Sequence, residues 1–361
     1  MATEVENGPE ITQILGQWYD ANQRSLPWRE TTNPYFIWLS EIILQQTRVD
    51  QGTPYYLRFI KNYPKVEDLA TAQQDDVLKL WQGLGYYSRA RNLHFTANYI
   101  SNDLHGQFPS SYAELIKLKG IGKYTASAIA SIAFNEPVAT VDGNVVRVVS
   151  RLFAISEDVT TKNAIIKIES ITSSLLNPLD PGKHNQAVME FGATHCTPVN
   201  PSCLECPLNT HCQAFKLKVV SSIPLKSKKI KRKTRYFHYL VVHTPDSSYL
   251  LHQRTTKDIW NGLYQFPLIE SENDAELNDQ HLKQFLKSNS IGIQKVNRVR
   301  KHVLSHQDIH ARFYHLQIGE QIHESFKLVA ASQIGEYPLP RLIDRYLEEH
   351  DVKTGNAALN A

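Results

Sequence analysis

All four cysteines of this chain lie within one short segment, and this arrangement constrains the fold more than any other feature of the sequence. Cys196, Cys203, Cys206 and Cys212 are separated by six, two and five residues. Disulfides are disfavoured in a reducing cytosol, and four thiols this close together are typical of one metal or cluster site. Zinc and a 4Fe–4S cluster both accept four thiolates, so the spacing leaves both alternatives open.

The length and composition indicate a globular protein with two domains or more. The chain has 361 residues, of which 42% are hydrophobic and 21% are charged, and such a chain can build real hydrophobic cores. No apolar run approaches the roughly 20 residues that a bilayer span needs. The acidic segment Met1 to Glu10 lacks the apolar stretch of a signal peptide. We therefore expect a cytoplasmic protein with no membrane partner.

The positive charge of the chain is concentrated in one segment. Lys and Arg total 39 against 36 Asp and Glu, and seven of those basic residues lie in Lys226–Arg235, which contains no acid. The rest of the chain is therefore net acidic. A basic stretch of this kind is either a solvated linker or a site that attracts a polyanion.

The pattern of apolar residues predicts a mostly helical first part. Up to residue 217, apolar residues recur with the period of a helix face, and Gly and Pro separate the runs. The predicted helices begin with the segment Ile11 to Tyr19 and continue over 36–46, 54–62, 75–82, 88–101, 111–118, 123–134, 142–153, 162–175 and 184–193.

The second part of the chain has the composition of an α+β domain. β-branched and aromatic residues predict strands over 236–243, 248–252, 262–269, 293–304 and 309–318, with helices over 276–288 and 340–349. We predict a helical domain at 1–216, a basic linker at 217–235, an α+β domain at 236–350 and a frayed tail at 351–361.

A Gly-x-Gly turn joins two of the predicted helices. One helix ends near Leu118, Gly120 and Gly122 form the turn, and Lys123 starts the next helix. Glycine allows a tight turn with outward backbone N–H groups, and such donors at a helix start suit a DNA phosphate. These contacts position DNA without reading its sequence. The alternative is an ordinary helix–helix turn capped by glycine.

Three segments in chain order resemble the helix-hairpin-helix DNA glycosylase superfamily. They are the Gly120 hairpin, the segment Val141–Val145 with its Asp142, and the cysteine loop, which is similar to the iron–sulfur loop of that superfamily. Within the superfamily, the segments Leu26–Arg29, Leu39–Thr47 and Gly83–Tyr87 look like those of the MutY adenine DNA glycosylases.

The resemblance covers nearly the whole chain and implies a function. The MutY family excises adenine mispaired with 8-oxoguanine. We therefore expect a monomeric base excision repair enzyme of a bacterial nucleoid, acting on double-stranded DNA that contains A·8-oxoguanine or A·G mispairs. The resemblance also assigns the four cysteines to a 4Fe–4S cluster.

Two carboxyl groups can divide the work of cleaving an N-glycosidic bond, which needs a protonated base and a stabilised cationic sugar. Glu41 lies in a helix that is apolar almost all round, where burial raises a carboxyl pKa; the alternative is an acid that reaches a helix end or the surface. Asp142 precedes an apolar helix, as an N-cap does, and the helix dipole favours its ionised form. By resemblance, Glu41 protonates adenine, Asp142 stabilises the sugar, and Asn144 orients these groups.

Tyr124 decides between two reaction types. The bifunctional endonuclease III family resembles this hairpin but has lysine at this position, which forms a Schiff base and cuts the strand. Tyrosine cannot do so, and Lys123 points about 100° away on a helix. We predict a monofunctional glycosylase. The alternatives are a bifunctional glycosylase/lyase and, outside the enzymes, a non-catalytic DNA-binding metalloprotein.

The remaining site residues follow from the resemblance. Gln46 and Tyr86 correspond to wedges that fill the space left by a flipped base, although Tyr86 can also be a packed loop aromatic. Arg29 and Gln186 fall where the family lines its adenine pocket.

The C-terminal domain resembles the Nudix-like domain of the same family. It lacks the glutamate-rich metal motif after Gly262–Pro267, so we expect no nucleotide hydrolysis. Leu304-Ser305-His306 looks like the loop that recognises 8-oxoguanine, with leucine where the family has an aromatic residue. We expect Ser305 and His306 to contact the lesion; the alternative is a surface loop of no special role.

Overall fold

The structure is a computed structural model that describes residues 7–227, 232–244, 248–287, 291–297, 299–318 and 326–350. Residues 228–231 of the predicted basic linker and the predicted tail at 351–361 lie outside the described residues. Within the described ranges, no helix combines the length and the apolar character that a membrane span requires.

The first part of the chain is helical, as its periodicity predicts. Capping chemistry sets several helix starts: the Asn33 side chain accepts from the N–H of Tyr35, and the Asp142 side chain accepts from two N–H groups. The helices are α1 Gly8–Asn22, α2 Pro34–Ile43, α3 Val49–Asn62, α4 Val66–Thr71, α5 Gln74–Leu80, α6 Ser88–Asn102, α7 Tyr112–Leu115, α8 Lys123–Phe134, α9 Gly143–Leu152, α10 Lys162–Leu175, α11 Pro181–Thr194 and α12 Gln213–Lys216.

The chain divides by packing into two compact units. The first comprises residues up to Thr71 and Asn92–Lys228, and the second comprises Ala72–Arg91 and the chain from Lys229 onward. In the first unit, α1, α9, α10 and α11 enclose a core that includes Leu15, Val148 and Ile168. The domain limits at 216 and 235 that the sequence predicts stay a prediction.

The second unit contains the strands. They are β1 Lys233–Val242, β2 Ser248–Gln253, β3 Tyr264–Gln265, β4 Leu268–Ser271, β5 Ile291–Val296, β6 Arg300–Val303, β7 Gln307–Ile318 and β8 Lys327–Ala330, accompanied by α13 Asp279–Leu286 and α14 Arg341–Glu349. One sheet has the order β4-β1-β7-β5, with β6 also pairing with β7, and the other has the order β3-β2-β8. The pair β1–β7 is parallel, with Phe237 opposite Ala311.

Two predicted strands need correction, and two short elements were not predicted. The strand predicted over 262–269 is two short strands, β3 and β4, interrupted around Pro267, which has no N–H to donate. The strand predicted over 293–304 is likewise two, β5 and β6, which both pair with β7. Helix α4 and strand β8 were not predicted, because six and four residues are too few to show a period.

Candidate active site

A cavity of about 210 Å³ in the first unit collects most of the residues predicted to carry the chemistry. Its wall includes residues of α2, α8, α9 and α11. The predicted residues that line it are Arg29, Glu41, Tyr124, Asp142, Asn144 and Gln186. The fold thus brings six separately predicted side chains to one place.

Glu41 lies on α2, whose neighbouring residues are almost all buried, and it lines the cavity. Burial raises the pKa of Glu41 to about 7; a hydrogen bond with Tyr124 opposes this rise, and the charge of Asp142 adds to it. A carboxyl group with this pKa is protonated in a large fraction of molecules at neutral pH. Glu41 therefore has the proton that a general acid needs.

Asp142 caps α9. Its Oδ1 accepts from the backbone N–H groups of Asn144 (2.9 Å) and Val145 (2.8 Å), and its Oδ2 accepts from Nδ2 of Asn144 (2.8 Å). These hydrogen bonds and the charge of Arg147 lower the pKa of Asp142, but burial has the larger effect. The pKa of Asp142 is therefore raised above its ordinary value. The helix dipole at this position can be predicted from the sequence, but the burial of Asp142 depends on tertiary packing that the sequence does not show.

Tyr124 is the second residue of α8. Its hydroxyl hydrogen-bonds Glu41 and lies 3.4 Å from Sδ of Met189, and burial raises the pKa of Tyr124 well above its ordinary value. Lys123 is not on the cavity wall: its side chain is 72% exposed and its Nζ lies 3.2 Å from Oε1 of Glu169. The described residues that line the cavity include no lysine. An amine that could form a Schiff base is therefore missing from this part of the described structure.

Glu190 is a residue of this site that the sequence reasoning did not single out. It is 1% exposed, its Oε1 accepts from Nε of Arg24, and its Oε2 accepts from Nη2 of Arg29, each at 2.7 Å. Burial acts to raise the pKa of Glu190, but the hydrogen bonds from both arginines outweigh it and lower the pKa to about 2. Glu190 thereby fixes Arg29 at the cavity. Glu190 follows Gln186 by one turn of α11, so the two share a helix face, and this spacing was the sequence signal that could have identified Glu190 as a residue of the site.

Arg147 is a second residue that was missed. Its Nη2 donates to Oδ1 of Asn144 (2.8 Å) and to the carbonyl of Gly192 (2.7 Å), and its Nε donates to the carbonyl of Cys196 (2.8 Å). Asn144 is thus held by Asp142 on one side and by Arg147 on the other. Arg147 also ties α9 to the first residue of the cysteine loop.

The predicted hairpin has one glycine that its geometry requires. Gly120 has φ +83°, and a Cβ there would lie 2.7 Å from Cβ of Asn92. Gly122 caps α8 with φ −92°, in open space, so of the two glycines only Gly120 is required by the backbone conformation of the turn. The hydroxyl of Thr96 donates to the carbonyl of Lys119 at 2.7 Å and supports the turn from α6.

The two predicted wedge residues share a left-handed backbone conformation that is rare for residues other than glycine. Gln46, in the turn after α2, is exposed and has φ +57°. Tyr86, in the loop before α6, is 40% exposed and has φ +48°. Backbone strain of this kind concentrates at functional sites. Neither residue lines the catalytic cavity.

A second cavity, of about 420 Å³, lies within the second unit. Tyr86, Leu304, Ser305 and His306 all line it, and the hydroxyl groups of Tyr86 and Ser305 hydrogen-bond each other. Ser305 and His306 are exposed in the loop between β6 and β7. The candidate wedge Tyr86 and the candidate lesion-reading loop therefore meet at one cavity.

Hydrogen bonds from two side chains fix the backbone of the loop that carries Tyr86. Nη2 of Arg89 and Nε1 of Trp81 both donate to the carbonyl of Gly85, at 3.1 and 3.0 Å. The Arg89 guanidinium also lies over the Tyr86 ring, 5.7 Å from its centroid, a cation–π geometry. The exposed ring of Tyr86 is thus presented by a constrained backbone.

The four cysteines line one cavity in the first unit, together with apolar residues such as Val148 and Leu208. In the described ranges, no three His, Cys, Asp or Glu side chains are placed to hold one metal ion. Four thiols that line one space are the donor set that either a 4Fe–4S cluster or a zinc ion accepts. Arg151, 2% exposed, donates to Sγ of Cys196 at 3.4 Å and thereby fixes the first cysteine of the cavity.

Comparison with known proteins relates both parts of the chain to known families. Residues 39–173 match the family model of the HhH-GPD superfamily base excision DNA repair protein, and residues 238–349 match that of the NUDIX domain. The adenine DNA glycosylase of Buchnera aphidicola subsp. Baizongia pistaciae (strain Bp) is 38% identical over 81% of this chain and 82% of that protein. The adenine DNA glycosylase of Homo sapiens is 41% identical over 57% of this chain and 40% of the human protein.

Solved structures resemble the helical part. A thermostable thymine-DNA glycosylase matches with a TM-score of 0.54 at 26% identity, over 58% of this chain and 97% of that chain. A non-covalent endonuclease III–DNA complex matches with a TM-score of 0.51 at 21% identity, over 59% of this chain and 99% of that chain. Together with the family matches, these similarities confirm the predicted fold class of a helical glycosylase region followed by a Nudix-like α+β domain.

Proposed function

Because this chain belongs to the adenine DNA glycosylase family, we propose that it removes adenine from A·8-oxoguanine and A·G mispairs as a monofunctional glycosylase. The chain is an adenine-specific DNA glycosylase of base excision repair. One observation carries the proposed mechanism: Glu41, with a pKa of about 7, shares a cavity with Asp142. The two carboxyl groups have the environments that an acid and a charge stabiliser need.

Glu41 acts as the general acid. It transfers its proton to a ring nitrogen of the flipped adenine, the bond between the base and the first carbon of the sugar breaks, and the bonding electrons leave with the base. Water then adds to the cationic sugar and returns a proton to the Glu41 carboxylate. The hydrogen bond between Tyr124 and Glu41 orients the carboxyl group during both steps.

Asp142 stabilises the cationic sugar as a carboxylate. The three hydrogen bonds that it accepts at the start of α9 favour the charged form against burial. It acts either as a counter-ion or as the nucleophile of a covalent sugar intermediate, as carboxylates do in retaining glycosidases. Asn144, held by Arg147, keeps one of these donors in place.

Arg29 and Gln186 bind the adenine base. Both line the cavity, and each is fixed by a partner: Glu190 holds Arg29, and the Tyr19 hydroxyl donates to Oε1 of Gln186 at 3.1 Å. Side chains that are held in this way can hydrogen-bond the edges of a flipped base at little further cost in entropy.

The proposal of a monofunctional enzyme rests on Tyr124. A lyase needs an amine next to the first carbon of the sugar, and the described lining of the cavity has none. The alternative, a bifunctional glycosylase/lyase, predicts that borohydride traps a covalent complex with the duplex. The proposed enzyme leaves an abasic strand intact until alkali or heat is applied, and trapping by the wild-type protein would refute it.

The second cavity is proposed to hold the 8-oxoguanine side of the mispair. Ser305 offers a hydroxyl to the edge of the lesion, His306 lies beside it, and Tyr86 enters the stack as a wedge, with Gln46 as the second wedge. The Tyr86–Ser305 hydrogen bond gives way to contacts with the nucleotide. The Gly120 hairpin, Gly122 and Lys123 bind the DNA backbone near a phosphate.

A 4Fe–4S cluster is proposed for the cysteine cavity. Cys196, Cys203, Cys206 and Cys212 would hold it, and it would supply rigidity to the loop after α11. Purified protein should be brown and contain about four iron atoms per chain, as one cube requires. A colourless, active protein with one zinc ion per chain would contradict this assignment.

A panel of duplexes tests the substrate proposal. Base release should be measured under single-turnover conditions for A opposite 8-oxoguanine, A opposite G and T opposite G, with monomeric protein isolated by gel filtration. We expect release from the first two duplexes and not from the third. The T·G duplex belongs in the panel because the thymine-DNA glycosylase has a similar fold. Thymine release at a rate comparable with adenine release would contradict the proposed specificity.

A further inference from the structure

His195 differs from the other side chains that line the cysteine cavity. Its Nε2 is shielded from solvent, and no residue in the described part of the chain hydrogen-bonds it. Arg151, which also lines this cavity, donates to Sγ of Cys196 and to the carbonyl of Thr197. A buried ring nitrogen without a partner is unusual in a folded protein and calls for an explanation.

The ring of His195 is fixed in place. It stacks on Phe191 with ring centroids 5.0 Å apart and meets Trp18 edge-on at 6.0 Å. The backbone N–H groups of His195 and Cys196 both donate to the carbonyl of Phe191, at 3.0 and 2.7 Å. These contacts hold the imidazole at the cavity, next in sequence to the first cysteine.

We infer that the imidazole N–H of His195 donates a hydrogen bond to a sulfur of the cluster and makes the cluster harder to oxidise. The inference rests on the cluster proposed above. Hydrogen bonds to cluster sulfurs stabilise the more negative, reduced state and so raise the reduction potential. His195 would then be a residue through which this chain sets the redox behaviour of its cluster, independently of adenine excision.

The test compares reduction potentials of DNA-bound wild-type and variant proteins by voltammetry on DNA-modified electrodes. His195→Leu removes the donor, and we expect its potential to shift to a more negative value than that of the wild type. His195→Gln keeps an N–H group near the position of Nε2, and we expect its potential to stay close to the wild-type value. Equal potentials for His195→Leu and the wild type would overturn the inference.

His184 offers a matched control. It lies on α11, and its Nε2 is equally shielded and has no described partner, but it does not line the cysteine cavity. His184→Leu should therefore keep the wild-type potential. A shift in this variant as large as that of His195→Leu would show that loss of any buried imidazole disturbs the cluster, and it would overturn the inference.

A measurement on the wild type covers the case in which His195→Leu does not assemble a cluster. Protein labelled with ¹⁵N-histidine is oxidised, and electron–nuclear double resonance should detect a histidine nitrogen coupled to the cluster. His195→Gln should abolish that coupling. Its absence from the wild type would contradict the inference. Iron analysis separates the two proposals, because wild-type protein without iron refutes the cluster itself, whereas a loaded cluster without the coupling refutes only the role of His195.

Discussion

Glu41, Asp142 and Glu190 are three carboxyl groups around one cavity, and their surroundings separate their chemistry. Burial raises the pKa of Glu41 to about 7, whereas hydrogen bonds from two arginines outweigh burial at Glu190 and lower its pKa to about 2. Burial raises the pKa of Asp142 against three hydrogen bonds. The site thus offers a proton at Glu41 and a fixed negative charge at Glu190 in the same pH range.

The pH dependence of stability should show the raised pKa of Glu41. Since its folded-state pKa lies above the unfolded value, the stability that it contributes is full below about pH 4 and is lost as pH rises through about 7. Glu41→Gln removes this loss. We expect urea unfolding to show the variant to be about 3 kcal/mol more stable than the wild type at pH 8, with the advantage shrinking towards pH 5. A pH-independent difference would contradict the assigned pKa.

Glu190→Gln should damage both the fold and the adenine pocket. Removing one partner of a buried charge network leaves the Arg29 charge poorly compensated, and the expected loss of unfolding free energy is about 3 kcal/mol. The Michaelis constant for an A·8-oxoguanine duplex should rise, because Arg29 loses its support. Glu157→Gln is the matched control, because its pair with Lys167 is exposed to solvent and should contribute little to stability. If Glu190→Gln and Glu157→Gln change the unfolding free energy and the Michaelis constant equally, Glu190 does not support the adenine pocket.

Glu41 can be singled out from the sequence, whereas its surroundings cannot, for a physical reason. Glu41 lies in a continuous apolar run, which a reader of the sequence can see, and the structure places it at a cavity. Glu190 is paired with Arg29, 161 positions away. No local pattern reports such a partner, because only the packing of α11 against the first segments of the chain brings the two together.

At the scale of elements, the spacing of apolar residues and the capping residues predict the long helices well and the short elements poorly. Helix α9 was predicted from its apolar spacing and from the cap residue Asp142, and the structure has both. Strands β3 and β4 were predicted as one strand, because apolar and aromatic residues lie on both sides of Pro267, and the structure shows that β3 pairs with β2 whereas β4 pairs with β1. The hairpin was located correctly, but the sequence could not show that Asn92 packs against Gly120.

Gly120→Ala tests the hairpin as an element. A side chain at φ +83° costs about 1–2 kcal/mol, and the new Cβ also meets Asn92. We expect weaker binding to all duplexes alike, measured by fluorescence anisotropy, because the proposed contact of the hairpin is with the DNA backbone and not with the bases. Gly16→Ala inside α1, where a Cβ meets nothing within 4 Å, should leave binding unchanged and stabilise the protein by about 0.5–1 kcal/mol. Unaltered affinity of Gly120→Ala would exclude the hairpin from DNA binding.

At the scale of the whole molecule, the chain does not divide cleanly at the linker. Residues Ala72–Arg91 precede most of the helical part in sequence but pack in the second unit, where the Tyr264 hydroxyl donates to Oδ2 of Asp75 at 3.0 Å and the N–H of Leu339 donates to Oε1 of Gln82 at 3.1 Å. Deleting residues 236–361 would strip these contacts. Lesion recognition is therefore better tested by point variants of the full chain.

The double variant Ser305→Ala, His306→Ala should reduce the preference for 8-oxoguanine. One base-edge hydrogen bond contributes roughly 1–3 kcal/mol of discrimination, so the ratio of single-turnover rates on A·8-oxoguanine and A·G should fall about tenfold, with the A·G rate nearly unchanged. His281→Ala, exposed on α13, is the control and should keep the wild-type ratio. If the double variant keeps the wild-type ratio of the two rates, residues outside this loop recognise 8-oxoguanine.

The most direct test of the central claim is the single-turnover rate of adenine release by Glu41→Gln from a duplex containing A opposite 8-oxoguanine. The glutamine keeps the shape of the carboxyl group and cannot supply its proton. We predict that the rate falls by roughly 10²–10⁴-fold while the affinity for the duplex stays close to that of the wild type. Adenine release at a near-wild-type rate would show that another group protonates the base and would contradict the account.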